Sequence, residues 1–265
     1  MADISDKAFF DYLMAEYNHP FNGWDFSYLA GRRTDIHGEK TWDYAASVVA
    51  AMKQAHSMLD MRTGGGERLA RFLALRPVPQ VYATEGYPPN VQTARERLEP
   101  LGVTVYAVQD EHLPCADDSL DLVINRHGSY DPDEARRVLK PGHLFITEQV
   151  GDQTNLRLHE LLGRRGKEKL VHSGAQEPPA WNLAFATQQL AQSGWQIIEQ
   201  QEAFPITRFH DVGAIVYYLK AIPWEVPDFS VEKYFDKLVE INHLIQRHGF
   251  VDIPFHSFFI VARKA

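Results

Sequence analysis

The chain has 265 residues, of which 45% are hydrophobic and 23% charged, with a formal net charge of −8. These are the proportions of an ordinary globular protein, and the length holds one α/β domain with insertions or a domain plus a small cap. They exclude a membrane-spanning bundle, since no apolar run approaches the roughly 20 residues a spanning helix needs, and a disulfide framework, since Cys115 is the single cysteine.

One thiol fits a reducing cytoplasm, and the opening MADISDKAFF has acids where a signal peptide carries a basic region. The acidic balance disfavours nucleic acid as a partner, because phosphate neutralisation supplies most non-specific affinity. The one dense basic stretch, Gly163-Arg164-Arg165-Gly166-Lys167 with Lys169 behind it, reads as a solvated surface.

In chain order, Ser5 reads as the N-cap of a helix with Phe9, Phe10, Leu13, Met14 and Tyr17 at helical spacing. HPFNGWDFSYLAGRR is too rich in turn residues for regular structure, and a second helix starts at Thr41 with Trp42, Ala45, Val49 and Met52 on one face. The pattern then changes to short apolar runs alternating with helical segments. Strands are predicted at 57–61, 80–84, 103–108, 120–125 and 143–148, with helices at 67–74, 88–98 and 132–139. Residues 152–180 read as a polar loop, 181–193 as a helix stopped by Gly194, and 195–204 as a strand. After an apolar stretch at 211–224, Ser230 caps a helix with Val231, Tyr234, Phe235, Leu238, Ile241 and Ile245 on one face, and 256–262 gives the last strand.

Apolar strands separated by helices imply a parallel sheet covered on both faces. The expected class is α/β: a doubly wound, Rossmann-like sheet, mostly parallel with an antiparallel last strand, plus a helical N-terminal segment and an insertion. The expected division is 1–56 as the N-terminal cap segment, 57–204 with 251–265 as the core, and 205–250 as an insertion over the substrate.

The segment that carries chemistry is Leu59-Asp60-Met61-Arg62-Thr63-Gly64-Gly65-Gly66-Glu67, between a strand and its helix. Glycines there let the backbone approach a ligand closely, and the helix start behind them offers free N–H groups. Glu85, nineteen positions after Gly66 at the end of the next strand, is placed to accept both hydroxyl hydrogens of a ribose. The pair points to an adenosine-containing cofactor and leaves NAD and S-adenosylmethionine both open.

Further on come Gln109-Asp110-Glu111-His112-Leu113-Pro114, then Ala116-Asp117-Asp118-Ser119-Leu120-Asp121-Leu122-Val123, then Ala135-Arg136-Arg137-Val138-Leu139-Lys140-Pro141-Gly142-His143-Leu144. In this order and spacing, over roughly residues 55 to 150, they resemble class I S-adenosylmethionine-dependent methyltransferases. That family has an acid beside the adenine after strand three, an LPF-D-SFDLV run into strand four and an E-RVLKPGG turn into strand five. The flanks NRHGSY and DVGAIVYYLKAIPW look similar to uncharacterised bacterial members.

The resemblance implies S-adenosylmethionine as cofactor. It implies Asp60, Met61, Arg62, Thr63, Gly64, Gly65 and Gly66 around the methionine part and Glu85 with Gly86 at the ribose. Asp110, Glu111 and His112 would flank the adenine, and Asn125 and Arg126 would lie near the methyl donor or the substrate mouth. One position departs from the pattern: Arg62 stands where D-x-G-x-G-x-G has its first glycine. Either the backbone there has positive φ, at a strain of about 1 kcal/mol or more, or it is ordinary and the guanidinium lies near the cofactor's carboxylate.

If the acceptor needs a general base, His127 is the first candidate, against a capping or packing role; His210 and Asp211 are weaker. Trp24, Tyr130, His210, Asp211, Tyr217 and Tyr218 are the candidate acceptor-side residues. Twelve histidines form no H-E-x-x-H and one cysteine no C-x-x-C, so no metal is expected. The expected function is methyl transfer to a small-molecule acceptor in the cytoplasm. The alternatives are an RNA methyltransferase, which needs a basic surface, and a non-catalytic protein binding S-adenosylmethionine or S-adenosylhomocysteine, motivated by Arg62. An NAD-dependent oxidoreductase ranks last, for lack of G-x-G-x-x-G and Tyr-x-x-x-Lys.

Overall fold

The computed structural model describes residues 6–21, 25–36, 38, 40–164 and 180–265. In chain order the elements are α1 (Asp6–Asn18), β1 (Arg33–Ile36), α2 (Tyr44–Ala51), β2 (Ser57–Met61), α3 (Glu67–Leu75), β3 (Gln80–Glu85), α4 (Pro88–Leu98), β4 (Val103–Ala107), β5 (Leu120–Arg126), α5 (Pro132–Val138), β6 (Leu139–Val150), α6 (Leu156–Leu161), α7 (Leu183–Gln192), β7 (Trp195–Ala203), β8 (Ile206–Phe209), α8 (Val212–Ala221), α9 (Val231–His248), β9 (Val251–Pro254) and β10 (Ser257–Lys264). They fall into two compact units. One comprises Thr41–Asp152, Pro179–Ala203 and Ser257–Ala265; the other comprises Met1–Lys40, Gln153–Pro178 and Phe204–His256.

The first unit is built on a seven-stranded sheet in the order β4-β3-β2-β5-β6-β10-β7. Its neighbours from β4 to β6 pair in parallel, and β10 runs antiparallel to both β6 and β7. The sheet is thus mostly parallel with one antiparallel strand, the last in the chain, as the sequence suggests. All five residues of β2 are buried, which an SMLDM run achieves only when both faces are covered. Successive side chains go to opposite layers: Met58 and Phe259 pack with Trp42, Tyr44 and Phe72, whereas Leu59 and Phe258 pack with Phe145 and Trp195. The chain winds from β2 outward to β4 and then returns to β5 on the other side of β2. The topological switch therefore lies between β2 and β5, where Met61 stands opposite Asn125 at the carboxyl ends.

The second unit has its own core. Its sheet, in the order β1-β8-β9, is antiparallel throughout. Leu13 of α1, Ile215 and Tyr217 of α8, and Leu238 and Ile241 of α9 share one buried cluster with Phe209 and Ile253. The boundaries between the units fall at other residues than the sequence pattern suggests. Tyr44 and Val48 of α2, with Met52 just after it, pack with the seven-stranded sheet, and α1, β1 and β9 join the 205–250 segment. Within the stretch read as a polar loop, α6 forms because Leu158 and Leu162 are buried in this core. Among the described residues no helix is long and apolar enough to cross a membrane.

Candidate cofactor site

The switch point carries the residues singled out in the sequence. Asp60, at the end of β2, is buried and accepts a hydrogen bond from Thr63 Oγ1 at 2.6 Å. Burial pushes the Asp60 carboxyl up to about 7, the nearby Glu85 charge adds to this, and the Thr63 hydrogen bond and Arg68 oppose it. Two backbone contacts stitch the loop to β3: Arg62 N donates to Thr84 Oγ1 at 3.2 Å and Thr63 N to the Thr84 carbonyl at 2.9 Å. Gly66, at φ 80°, caps α3; a Cβ there would come within 2.7 Å of Leu98, so close packing of α3 on α4 requires the glycine. Gly64, at φ 64°, has nothing within 4 Å of where a Cβ would stand.

Glu85, at the end of β3, is buried with only 6% of its surface exposed. Gly64 N donates to its Oε2 at 2.7 Å, and Gly86 N and Tyr87 N both donate to its Oε1 at 2.8 Å. A carboxylate has about four lone-pair sites. Three are taken by backbone, and one remains on Oε2 for a hydroxyl donor.

Arg62 resolves the two alternatives for its position. Its φ is 57°, in the left-handed region. Its guanidinium Nη2 donates to the Asp110 carbonyl at 3.1 Å and to Glu111 Oε1 at 3.2 Å, on the side of the site assigned to adenine. The side chain runs along two glycines: a Cβ on Gly128 would stand 2.5 Å from Arg62 Cβ, and one on Gly86 would collide with Nη1. Glu111 Oε1 also accepts from Ser129 Oγ at 2.7 Å. His112 N donates to Asp110 Oδ1 at 3.0 Å, while its ring turns outward to Glu134 at 3.1 Å.

At the ends of β5 and β6, Asn125 is fully buried and its amide is spent inside the sheet, on Met61 O, Thr147 Oγ1 and Gln149 Nε2. Arg126 Nε donates to Glu148 Oε1 at 2.7 Å, and Trp42 Nε1 donates to Glu148 Oε2 at 2.8 Å. His127, at φ 58°, donates its backbone N–H to the Glu148 carbonyl at 2.9 Å and holds its ring Nε2 3.7 Å from Glu148 Oε1. Glu148, Trp42, Thr84 and Gly128 were not singled out from the sequence. Only Glu148 left a signal there, an acid inside the otherwise strand-like HLFITEQV.

Asp60, Arg62, Thr63, Gly64, Glu85, Gly86, Asp110 and Glu111 thus form one continuous set of contacts, with Asn125, Arg126 and His127 on the adjoining strand. Tyr130 packs edge-on against Phe145 and Trp181 and lines a cleft of about 520 Å³ with Glu111, Asp131, Asp133 and Gln189. The other acceptor-side candidates belong to the second unit. There Asp211 caps α8 through Ala214 N at 2.8 Å and pairs with Arg32 at 2.6 Å, and His210 meets Thr34 Oγ1 at 3.2 Å. Tyr217 donates to the Pro20 carbonyl at 3.3 Å, and Tyr218 meets Asn155 at 3.5 Å. Trp24 lies outside the described residues. Among the described residues no group of His, Cys, Asp or Glu is arranged to hold a metal ion.

Residues 59–147 match the family described as a methyltransferase domain. No curated protein matches the sequence. Among solved structures, a candidate methyltransferase of Bacillus halodurans is 19% identical, with a TM-score of 0.55 over 82% of this chain and 99% of that one. The YcgJ protein of Bacillus subtilis is 15% identical, with a TM-score of 0.53 over 83% and 97%. A candidate sarcosine dimethylglycine methyltransferase of Galdieria sulphuraria is 17% identical, with a TM-score of 0.51 over 84% of each chain. These structures add likeness of fold; the family match carries the chemistry. The seven-stranded unit is Rossmann-like and contains the segment that matches a methyltransferase domain. The match over residues 59–147 agrees with the class I S-adenosylmethionine-dependent methyltransferases that the motifs resemble.

Proposed function

We propose that the protein transfers a methyl group from S-adenosylmethionine to a small-molecule acceptor. The observation that carries the cofactor reading is Glu85, a buried carboxylate at the end of the second parallel strand. It is oriented by three backbone N–H groups and keeps one lone-pair site for a hydroxyl. The residues present fit the cofactor in kind. Glu85 would accept from the ribose, the open backbone at Gly64 permits close approach, and Asp110 and Glu111 would border the adenine. Bound there, S-adenosylmethionine supplies an electrophilic methyl group on a sulfonium.

The chain's own part is to position the reactants, exclude water and, where the acceptor is protonated, take its proton. His127, just after the end of β5, is the group proposed for that proton, its ring Nε2 standing 3.7 Å from the Glu148 carboxylate. Glu148 is itself fixed by Trp42 and Arg126.

The acceptor reading rests on charge. The cleft beside Glu111 is also lined by Asp131 and Asp133, and the whole chain carries −8, which repels a phosphate backbone and suits a small neutral or cationic molecule. The test is incubation with methyl-labelled S-adenosylmethionine and separate pools of small molecules and RNA. Label in a small molecule is expected. Label in RNA would replace the acceptor reading, and no label in either would contradict methyl transfer.

A further inference from the structure

We infer that Arg62 is an internal competitor for the cofactor site: its side chain lies where the adenosine part would lie, and it sets cofactor affinity by having to leave. The inference rests on the cofactor reading above and extends it to what controls the site. Its first support is the backbone. Arg62 holds φ 57°, a conformation disfavoured for any residue with a Cβ, and the structure maintains it at the point where the chain leaves β2.

The second support is that the side chain has a berth shaped for it. Gly128 borders its Cβ and Cγ and Gly86 borders its guanidinium, and a Cβ on either glycine would collide with it. Gly128 follows β5 and Gly86 follows β3, so the arginine crosses the carboxyl ends of the sheet from one side of the switch point to the other.

The third support is the identity of its partners. Nη2 donates to the Asp110 carbonyl and to Glu111 Oε1, the loop assigned to adenine, and Nη1 lies over Gly86, next to the carboxylate assigned to ribose. A flat, delocalised guanidinium with fixed donors fills such a slot well. Cofactor and guanidinium therefore call for the same space and the same loop.

The consequence is quantitative. When only a fraction of molecules is binding-competent, the apparent affinity falls by that fraction. The Arg62–Glu111 pair is only partly buried, with 20% and 36% of the side chains exposed, so salt weakens it and frees the site. An arginine in this place makes cofactor binding weaker than the rest of the site permits and raises it with ionic strength.

The experiment is calorimetric titration of the full chain with S-adenosylhomocysteine, at low and high salt, for wild type, Arg62→Gly and Arg62→Ala. Thermal melts of each variant check the fold. Glycine adopts the left-handed conformation freely, and alanine removes the guanidinium should the glycine variant misfold. The expected result is at least tenfold tighter binding in Arg62→Gly, the same direction in Arg62→Ala, and a gain with salt in wild type that the variants lack. Binding by wild type with equal or weaker binding by folded variants would overturn the competitor role and leave the cofactor reading standing. No binding by wild type or folded variants would overturn both.

Discussion

Gly64 and Glu85 are joined by a 2.7 Å hydrogen bond from the backbone N–H of the glycine loop to Oε2 of the carboxylate ending the next strand. That bond makes the loop and the acid at the end of β3 one structural object. Changing the acid should therefore disturb the loop as well as a ligand.

Glu85→Gln tests this. The amide keeps one acceptor oxygen and turns an NH₂ toward at least one of the three N–H groups that now donate to the carboxylate. A buried donor left without an acceptor costs about 1–3 kcal/mol. Denaturant unfolding should show a loss in that range, with loss of S-adenosylhomocysteine affinity. An unchanged midpoint would mean that the loop is held elsewhere.

Asp60 predicts a pH dependence. With its carboxyl pushed to about 7, against 3.8 as the ordinary value, the folded protein binds a proton between those limits that the unfolded chain releases. Asp60 therefore lowers stability as pH rises from about 4 to 7, by on the order of 4 kcal/mol in full. Asp60→Asn, which can still accept from Thr63, should melt higher than wild type at pH 8, with the advantage shrinking as pH falls and gone by about pH 4. A constant difference across this range would contradict the assignment.

Glu148 is 1% exposed and ties Trp42 Nε1 to Arg126 Nε. Glu148→Gln leaves the partly exposed Arg126 guanidinium without its charge partner and should cost about 2 kcal/mol. It should also change the fluorescence of Trp42, which stacks on Phe259 at 6.1 Å. If His127 takes the acceptor's proton, the acid limb of the activity profile shifts in this variant, because the carboxylate 3.7 Å from its ring is gone. An unmoved limb would remove His127 from the chemistry.

In the second unit, Arg32 bridges Glu16 at 2.9 Å and Asp211 at 2.6 Å. Burial alone would raise the Asp211 carboxyl, but the bonds from Arg32, Ala214 N and Tyr12 outweigh it and hold Asp211 below the usual range. This contribution is present above the ordinary carboxylate range and fades as pH falls through it. Arg32→Ala should cost about 2 kcal/mol at pH 7 and much less at pH 3, measured by denaturant midpoints. Arg32→Lys should not restore the full value, since one ammonium cannot match the forked geometry.

The parallel strands were legible because both their faces are buried, so runs such as SMLDM and LDLVIN are mostly apolar and buried along their length. Strands β1, β8 and β9 escaped the sequence reading because each is four residues long and carries charge, and the charges of β8 and β9 are neutralised only across the sheet. Arg208 on β8 stands opposite Asp252 on β9 and pairs with it at 2.7 Å, which hydropathy cannot reveal. α8 showed as an apolar stretch without a helical period, since nearly all its residues are buried and no polar face marks the turn. In the site, the glycine loop and Glu85 stood out because local spacing defines them. The course of Arg62 did not, since it depends on Gly86, Asp110 and Gly128, which only the folded sheet brings to the loop.

The most direct measurement is calorimetric titration of the purified chain with S-adenosylmethionine, S-adenosylhomocysteine and NAD, in parallel with Glu85→Ala. The account predicts saturable binding of the first two by the wild type, no binding of NAD, and loss of binding in the variant. Binding of NAD, or of neither methionine-derived ligand by the wild type and by Arg62→Gly alike, would contradict it.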